Sequence, residues 1–327
     1  MRMFVFSMRT FDELPCFEKY CPKYGIEYDY TTETPCMDNL DLAKGYDVVN
    51  VITTVFDQPM LKKLHDMGVK CIATRTIGYD HIDVDYAKSL GMGVIHISYS
   101  PNSVADYAIM MMLMGLRRMP HIMERANIQD YTLKGKIGRE LPDCTVGIIG
   151  TGRIGKAVIK NLSGFGCKII AYDPYPAKDL ENVEYVTLDE LYAKSDIISL
   201  HTFLSDETYH MINKDSIAKM KDGVILINAA RGALVDTKNL IEAVESGKIG
   251  SVGTDCCEGE DDFIRTDRKY DDLVVNHDYI ILKSFQNTIV TPHVAFFTDQ
   301  AVSDMVESSV KSVVQFAAGE DTPLEVH

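Results

Sequence analysis

The feature that most constrains this chain is Gly150-Thr-Gly152-Arg-Ile-Gly155. It follows the apolar run 144–149 and opens a helical stretch, and the next apolar run is closed by Asp173. A strand, a glycine turn, a helix, a second strand and an acidic residue, in that order, make a dinucleotide site. The first glycine permits the tight turn, the second lets backbone approach a pyrophosphate, and the third lets helix pack on strand. Arg153 and Ile154 lie where the first N–H groups and the positive dipole end of the helix face an anion. The same glycines also suit an ordinary strand-to-helix turn, so the flanking order and Asp173 carry the reading. Asp173 can accept hydrogen bonds from ribose hydroxyls and repels a 2′-phosphate. The Pro-Tyr-Pro after it brings no arginine, so the expected cofactor is NAD rather than NADP.

The rest of the chain repeats this alternation. Short apolar runs at 4–7, 48–52, 71–74 and 94–97 read as strands, with helical patterns at 13–24, 58–67 and 83–90 between them. Pro101-Asn102 breaks the pattern, and a long helix is expected over 103–119. Its methionines (110, 111, 112, 114 and 119) read as core or as a subunit contact. Strands resume at 144–149, 167–172, 196–200, 224–228, 250–254 and 288–291. A last helix over 299–318, apolar on one face, is expected to return to the first domain. The fold class is α/β: two doubly wound parallel-sheet domains.

A length of 327 residues suits two domains rather than one core. The formal net charge of −15 argues against nucleic acid or an acidic membrane surface as partner. It also means that an anionic substrate needs a local cation. No apolar run is long enough for a membrane span, and residues 1–8 read as a strand rather than a signal peptide. Eight cysteines lie scattered without a C-x-x-C pair, which reads as reduced core thiols in a cytoplasmic protein. Cys256 and Cys257, being adjacent, are poorly placed to pair with each other or to hold zinc, and no metal is expected.

Three polar residues share one structural address. Arg231 lies just past the run 224–228, Glu260 lies in the loop behind Asp255 at the end of the run 250–254, and His293 ends the run 288–291. Ligands of open α/β sheets bind outside the carboxyl ends of the strands, so all three can converge on a nicotinamide. Reduction of a 2-oxo acid calls for a cation on the carboxylate and an acid for the developing alkoxide. Arginine offers a permanently charged fork, histidine titrates near neutrality, and a nearby carboxylate favours and orients the imidazolium. Taken singly, each has a plain reading: Arg231 in a surface ion pair, Glu260 in the solvated acidic run 258–262, His293 in a capped loop.

These stretches resemble the D-isomer-specific 2-hydroxyacid dehydrogenases over essentially the whole chain, and most nearly the D-lactate and D-2-hydroxyisocaproate branch. The residues that carry the resemblance are Tyr99-Ser-Pro-Asn-Ser-Val-Ala-Asp106, the glycine fingerprint, Met220-Lys-Asp-Gly-Val-Ile-Leu-Ile-Asn-Ala-Ala-Arg-Gly232, Asp255-Cys-Cys-Glu-Gly-Glu260 and Thr291-Pro-His293. The resemblance implies His293 as acid–base, Glu260 as its partner and Arg231 as carboxylate clamp. It implies Ala230 and Asp255 on the cofactor side, with Asp255 as a second acidic residue supporting the site. Ile77, Gly78, Tyr99 and Phe296 are implied as substrate contacts. It also implies a flavodoxin-like substrate domain of 1–102 and 298–327, with a Rossmann domain of 103–297 inserted in it. A homodimer through the cofactor domain is expected. Because hydride transfer profits from excluding water, the two domains are expected to close on substrate by hinging near 101–103 and 295–298, the alternative being a rigid pair with a permanently formed cleft.

Two stretches depart from the family pattern: His201-Thr-Phe-Leu204, where many relatives have His-x-Pro-Leu, and Ala229-Ala230 before the arginine. Both bear on cofactor affinity rather than on reaction type. The expected reaction is NAD-dependent reduction of a small 2-oxo acid to the (R)-2-hydroxy acid. Pyruvate is favoured, and 2-hydroxyisocaproate, phenyllactate and 2-hydroxyglutarate remain alternative products. Formate or glycerate oxidation is a further option. A dinucleotide-sensing binding protein on the same fold is the reading from another class.

Overall fold

The computed structural model describes residues 1–180, 183–260, 263–264, 266–270 and 276–326. Of the acidic run 258–262, Asp261 and Asp262 therefore lie outside the described residues. The chain divides into two compact units: Met1–Ser100 together with the chain from Phe297 onward, and Pro101–Phe296. Among the described residues no helix is long and apolar enough to cross a membrane.

The first unit runs β1 (Arg2–Val5), α1 (Leu14–Tyr24), β2 (Glu27–Tyr30), β3 (Val48–Val51), α2 (Gln58–Asp66), β4 (Cys71–Thr74), α3 (Val84–Ser89) and β5 (Gly93–Ile95). Its sheet is parallel, in the order β2-β1-β3-β4-β5, the flavodoxin-like arrangement. Strands β3 and β4 are buried at every position. They read as mainly apolar runs because helices cover both faces of a parallel sheet, with Asn50 and Thr74 the buried polar members. Strand β2 was not expected. Its sequence Glu-Tyr-Asp-Tyr lies at the sheet edge with every residue at least partly exposed, so it has no apolar run to betray it. Asp57 and Asp83 cap α2 and α3 by accepting from Met60 N and Tyr86 N.

The last helix of the chain, Asp299–Ala317, returns to this unit. It buries Val306, Val310 and Val313, and Ser303 Oγ lies 2.8 Å from Tyr20 Oη of α1. Beneath the sheet, Arg75 and Glu13 form an ion pair of 3.0 Å with neither side chain exposed. Arg75 also donates to Asn50 Oδ1 and to the carbonyls of Phe6 and Ser7.

The second unit begins with α4 (Asn102–Leu116) and α5 (Met119–Asn127). One helix was expected over 103–119. It stops at Leu116 because Arg118 is left-handed, at φ 53°, and Pro120 starts a new helix. Of its methionines, Met111 and Met112 are fully buried while Met110 is 39% exposed. Then follow β6 (Thr145–Ile149), α6 (Arg153–Leu162), β7 (Lys168–Tyr172), β8 (Glu184–Tyr185), α7 (Leu188–Lys194), β9 (Ile197–Leu200), α8 (Lys214–Lys219), β10 (Val224–Asn228), α9 (Thr237–Glu245), β11 (Ile249–Thr254), α10 (His277–Ser284) and β12 (Thr288–Val290). The Asp299–Ala317 helix is α11. The parallel order β12-β11-β10-β9-β6-β7-β8 is a dinucleotide-binding sheet whose direction of winding reverses between β6 and β9. The expected six strands are present, and the short β8 adds a seventh.

The buried Arg75–Glu13 pair yields a test. Removing one partner of a buried pair strands the other charge, at a cost of about 3–5 kcal/mol. Glu13→Ala is expected to lower unfolding stability by that order in urea melts. The double variant Glu13→Ala/Arg75→Met is expected to recover much of the loss. Equal instability of the single and double variants would show that the charge imbalance is not the cause.

Candidate active site

The glycine turn leaves β6 and enters α6, and its three glycines meet three different constraints. Gly150 has φ +94°, and a Cβ there would lie 2.5 Å from the carbonyl of His201. A Cβ on Gly155 would lie 2.0 Å from the carbonyl of Gly150, so only glycine lets α6 close on the turn. A Cβ on Gly152 would meet nothing within 4 Å. The space over Gly152, with Arg153 and Ile154 starting the helix, is the cradle a pyrophosphate requires. Asp173 stands at the end of β7. Its Oδ2 accepts from Thr151 N at 2.6 Å and Thr151 Oγ1 at 3.0 Å, and its Oδ1 from Tyr175 N at 2.8 Å. The carboxylate is thus fixed against the turn, at the edge where an adenosine ribose would lie. These residues fit NAD.

At the end of β10, Asn228 shapes the loop that presents the arginine: its Nδ2 donates to Arg231 O at 2.8 Å and its Oδ1 accepts from Ala230 N at 3.1 Å. Arg231 Nη1 donates to Ala230 O at 2.9 Å. At Gly232 a Cβ would lie 2.2 Å from the carbonyl carbon of Cys257. Glycine is required there for the arginine loop to touch the loop that carries Glu260.

Beyond β12, His293 adopts φ 55°, a left-handed conformation that costs of order 1–3 kcal/mol in a non-glycine residue. Asp255 holds it there. Asp255 is fully buried. Its Oδ1 accepts from Thr291 Oγ1 at 2.6 Å and Val294 N at 3.0 Å, its Oδ2 from Ala295 N at 2.7 Å, and its carbonyl from His293 N at 2.8 Å. Both carboxylate oxygens of Asp255 are thus turned to the histidine turn, as suits an acidic residue that supports the site.

So held, His293 places Nδ1 2.5 Å from Glu260 Oε1. An ionised carboxylate only accepts, so Nδ1 carries the hydrogen of this bond and Nε2 is left to face a ligand. The side chains are 23% and 12% exposed, which leaves the histidine an open face while the glutamate is nearly enclosed. Glu260 Oε2 accepts from Cys257 N at 2.7 Å, which fixes the second oxygen. Arg231, Glu260 and His293 thus share the carboxyl ends of β10, β11 and β12, and Phe296, half-buried, lies three residues after His293. Ile77, Gly78 and Tyr99 belong to the first unit. There Thr76 Oγ1 donates to Gly78 O at 2.6 Å and shapes the 76–78 loop.

Three neighbours of the site were not anticipated. His201, quoted only as a departure, has its Nε2 2.8 Å from Ser199 Oγ under the glycine turn, and burial pushes its imidazole down to about 4. Cys256 and Cys257 are buried among the site residues, and burial pushes the Cys257 thiol up to about 12. Pattern alone does not separate a histidine beneath a turn from one beside it.

The NAD binding domain of the D-isomer specific 2-hydroxyacid dehydrogenases matches this chain over residues 109–295. The chain is 42% identical over 320 residues to an aromatic 2-oxoacid reductase of Clostridium sporogenes, covering 97% of this chain and 96% of that one. It is 40% identical over 307 residues to a D-specific alpha-keto acid dehydrogenase of Enterococcus faecalis, covering 93% and 94%. Among solved structures, a D-lactate dehydrogenase from Treponema pallidum superposes with a TM-score of 0.89 at 33% identity, covering all of both chains. The NAD complexed form of a D-isomer specific 2-hydroxyacid dehydrogenase from Lactobacillus delbrueckii gives 0.86 at 31% identity, again covering all of both.

His201 makes the stability of this site depend on pH. Its folded value, about 4, lies below the ordinary 6.5. The unfolded chain therefore takes up the proton first, and stability present above about 6.5 is lost progressively as pH falls toward about 4. In His201→Asn, thermal melts across that window are expected to fall less steeply than in the wild type. Parallel slopes would show that His201 is not held neutral.

Proposed function

Since this chain belongs to the D-isomer-specific 2-hydroxyacid dehydrogenase family, we propose that His293 is the general acid–base of its NAD-dependent reaction, oriented by Glu260, and that Arg231 holds the substrate carboxylate. The observation that carries this reading is the 2.5 Å contact between His293 Nδ1 and Glu260, on a turn fixed by buried Asp255. NAD, when bound, supplies or accepts the hydride at the substrate's C2. His293 holds a proton at Nε2 for the carbonyl oxygen in reduction, and takes it from the hydroxyl in oxidation. Glu260 keeps the ring in the orientation and tautomer this needs. The guanidinium of Arg231 offers two parallel N–H donors to a carboxylate, which binds the substrate and sets its carbonyl toward the histidine.

Gly150, Gly152, Arg153, Ile154, Gly155, Asp173, Ala230 and Asp255 complete the cofactor side of the proposal. Ile77, Gly78, Tyr99 and Phe296 are its substrate contacts. Pyruvate is the proposed substrate, in line with the D-lactate dehydrogenase structure that superposes on the chain. Similarity to an aromatic 2-oxoacid reductase favours a second reading, phenylpyruvate.

A homodimer through the cofactor domain is proposed as well. Its support is an apolar surface on that domain: α5 buries none of its residues, and Met123, Ile128, Leu133 and Ile137 are 55%, 66%, 88% and 85% exposed. The eight free cysteines favour the cytoplasm as its compartment.

Turnover of NADH with pyruvate, 2-oxoisocaproate, 2-oxoglutarate and phenylpyruvate separates the two substrate readings by kcat/KM. On the best of them, His293→Ala is expected to lower kcat by roughly 10²–10⁴-fold with NADH binding retained. Near-normal turnover of that variant would remove His293 from the chemistry. For the dimer, sedimentation equilibrium is expected to give twice the chain mass, and Leu133→Asp/Ile137→Asp the chain mass. A monomeric wild type would refute the proposed assembly.

A further inference from the structure

A thiol lies behind the His293–Glu260 pair. Cys256 is 2% exposed, yet one ligand atom from each of Cys256, Glu260 and His293 lies within 4.8 Å of the other two. Cys256 Sγ is 3.5 Å from Ala230 O, the carbonyl that also accepts from Arg231 Nη1 at 2.9 Å. The thiol and the guanidinium thus share one acceptor, and a thiolate formed there would have a cation beside it. Taken as a core residue, Cys256 needs no explanation beyond its size. Its position against a carboxylate and an imidazole that share one hydrogen bond is a different matter.

Thiolate, imidazole and carboxylate are the donor types of zinc sites, whereas magnesium and calcium take oxygen donors. With Zn–S about 2.3 Å and Zn–N and Zn–O about 2.1 Å, donors of a tetrahedral ion stand roughly 3.4–3.6 Å apart. The longest edge of the cluster has to contract by about 1 Å on that figure, and the short His293–Glu260 edge has to open by about as much. Side-chain rotation achieves both, and the exposed face of His293 offers the way in. Adjacent Cys256 and Cys257 are poorly placed to serve one ion together. Folding instead sets Cys256 against two ligands distant in sequence.

We propose that Cys256, Glu260 and His293 form a three-ligand site for a thiophilic divalent cation, Zn²⁺ or Cd²⁺, with a fourth position open toward the exposed face of the histidine. The ion takes the place of the hydrogen on His293 Nδ1 and draws Glu260 to itself. The ring then no longer passes between its two protonation states against the carboxylate. Where His293 is the acid–base of the proposed reaction, occupancy therefore shuts that reaction down, and this consequence rests on that reading. Binding itself does not.

The test uses the whole enzyme freed of metal with a chelator. Titration with Cd²⁺ is read by the ultraviolet thiolate-to-cadmium absorption, and Zn²⁺ and Mg²⁺ by the rate of NADH oxidation, each protein scored against its own metal-free rate. Cys256→Ala and Cys256→Ser are compared with wild type, and NADH fluorescence reports that both fold. The wild type is expected to show a Cys256-dependent absorption that both variants lose. The Zn²⁺ concentration for half-inhibition is expected to rise at least about 100-fold in the variants, since changes to groups that merely support ligands already cost 10–100-fold. Mg²⁺ at equal concentration is expected to leave every rate unchanged. Variants that keep the absorption and the sensitivity of wild type would overturn the site. A Cys256-dependent absorption without inhibition would uphold the site and count against His293 as the acid–base.

Discussion

The site depends on one buried carboxylate. Asp255 has no exposed surface, and its oxygens accept three hydrogen bonds, from Thr291 Oγ1 and from the N–H groups of Val294 and Ala295. Its own N–H donates to Asn228 O at the end of β10. One residue at the end of β11 therefore ties the ends of β10 and β12 to its own. Such convergence of donors suits an ionised carboxylate, which only accepts, and does not suit an amide, half of which donates. The cost of the left-handed backbone at His293 is offset here, because the turn on both sides of that residue is pinned to Asp255.

What could be read from the sequence divides along the same line. Most strands of both sheets were legible because parallel strands covered on both faces are buried at every position, as β3, β4 and β10 are, and so are built mainly of apolar residues. The glycine turn was legible because its constraints are steric and local. Arg231, Glu260 and His293 were legible because each follows a recognisable strand, and strand ends are where such sheets bind ligands. The short edge strands β2 and β8 were not, since an edge strand needs no apolar run. The break between α4 and α5 turns on Arg118 taking a left-handed conformation, which its residue type does not announce. The Arg75–Glu13 pair joins residues 62 apart in sequence, and nothing in either neighbourhood marks the other. Asp255 was seen as a supporting acid, but which loop it supports is decided by the pairing of β11 with β12.

The protein carries a net charge of −15, so capture of an anionic substrate cannot rest on its overall field and has to be local. In the proposed reaction Arg231 provides this, and its loop is not independent of the proposed acid–base pair. A Cβ at Gly232 would fall 2.2 Å from the Cys257 carbonyl carbon, so the two loops meet backbone to backbone. The N–H of that same Cys257 fixes Glu260 Oε2 at 2.7 Å. The proposed anchor and the proposed proton carrier are therefore joined through a chain of short contacts: Arg231 to Gly232, Gly232 against Cys257, Cys257 to Glu260, Glu260 to His293. A displacement of the arginine loop has to push on the peptide that orients the glutamate. The proposed geometries of substrate binding and of proton transfer are thus set together, and the glycine after the arginine is what lets the two loops touch.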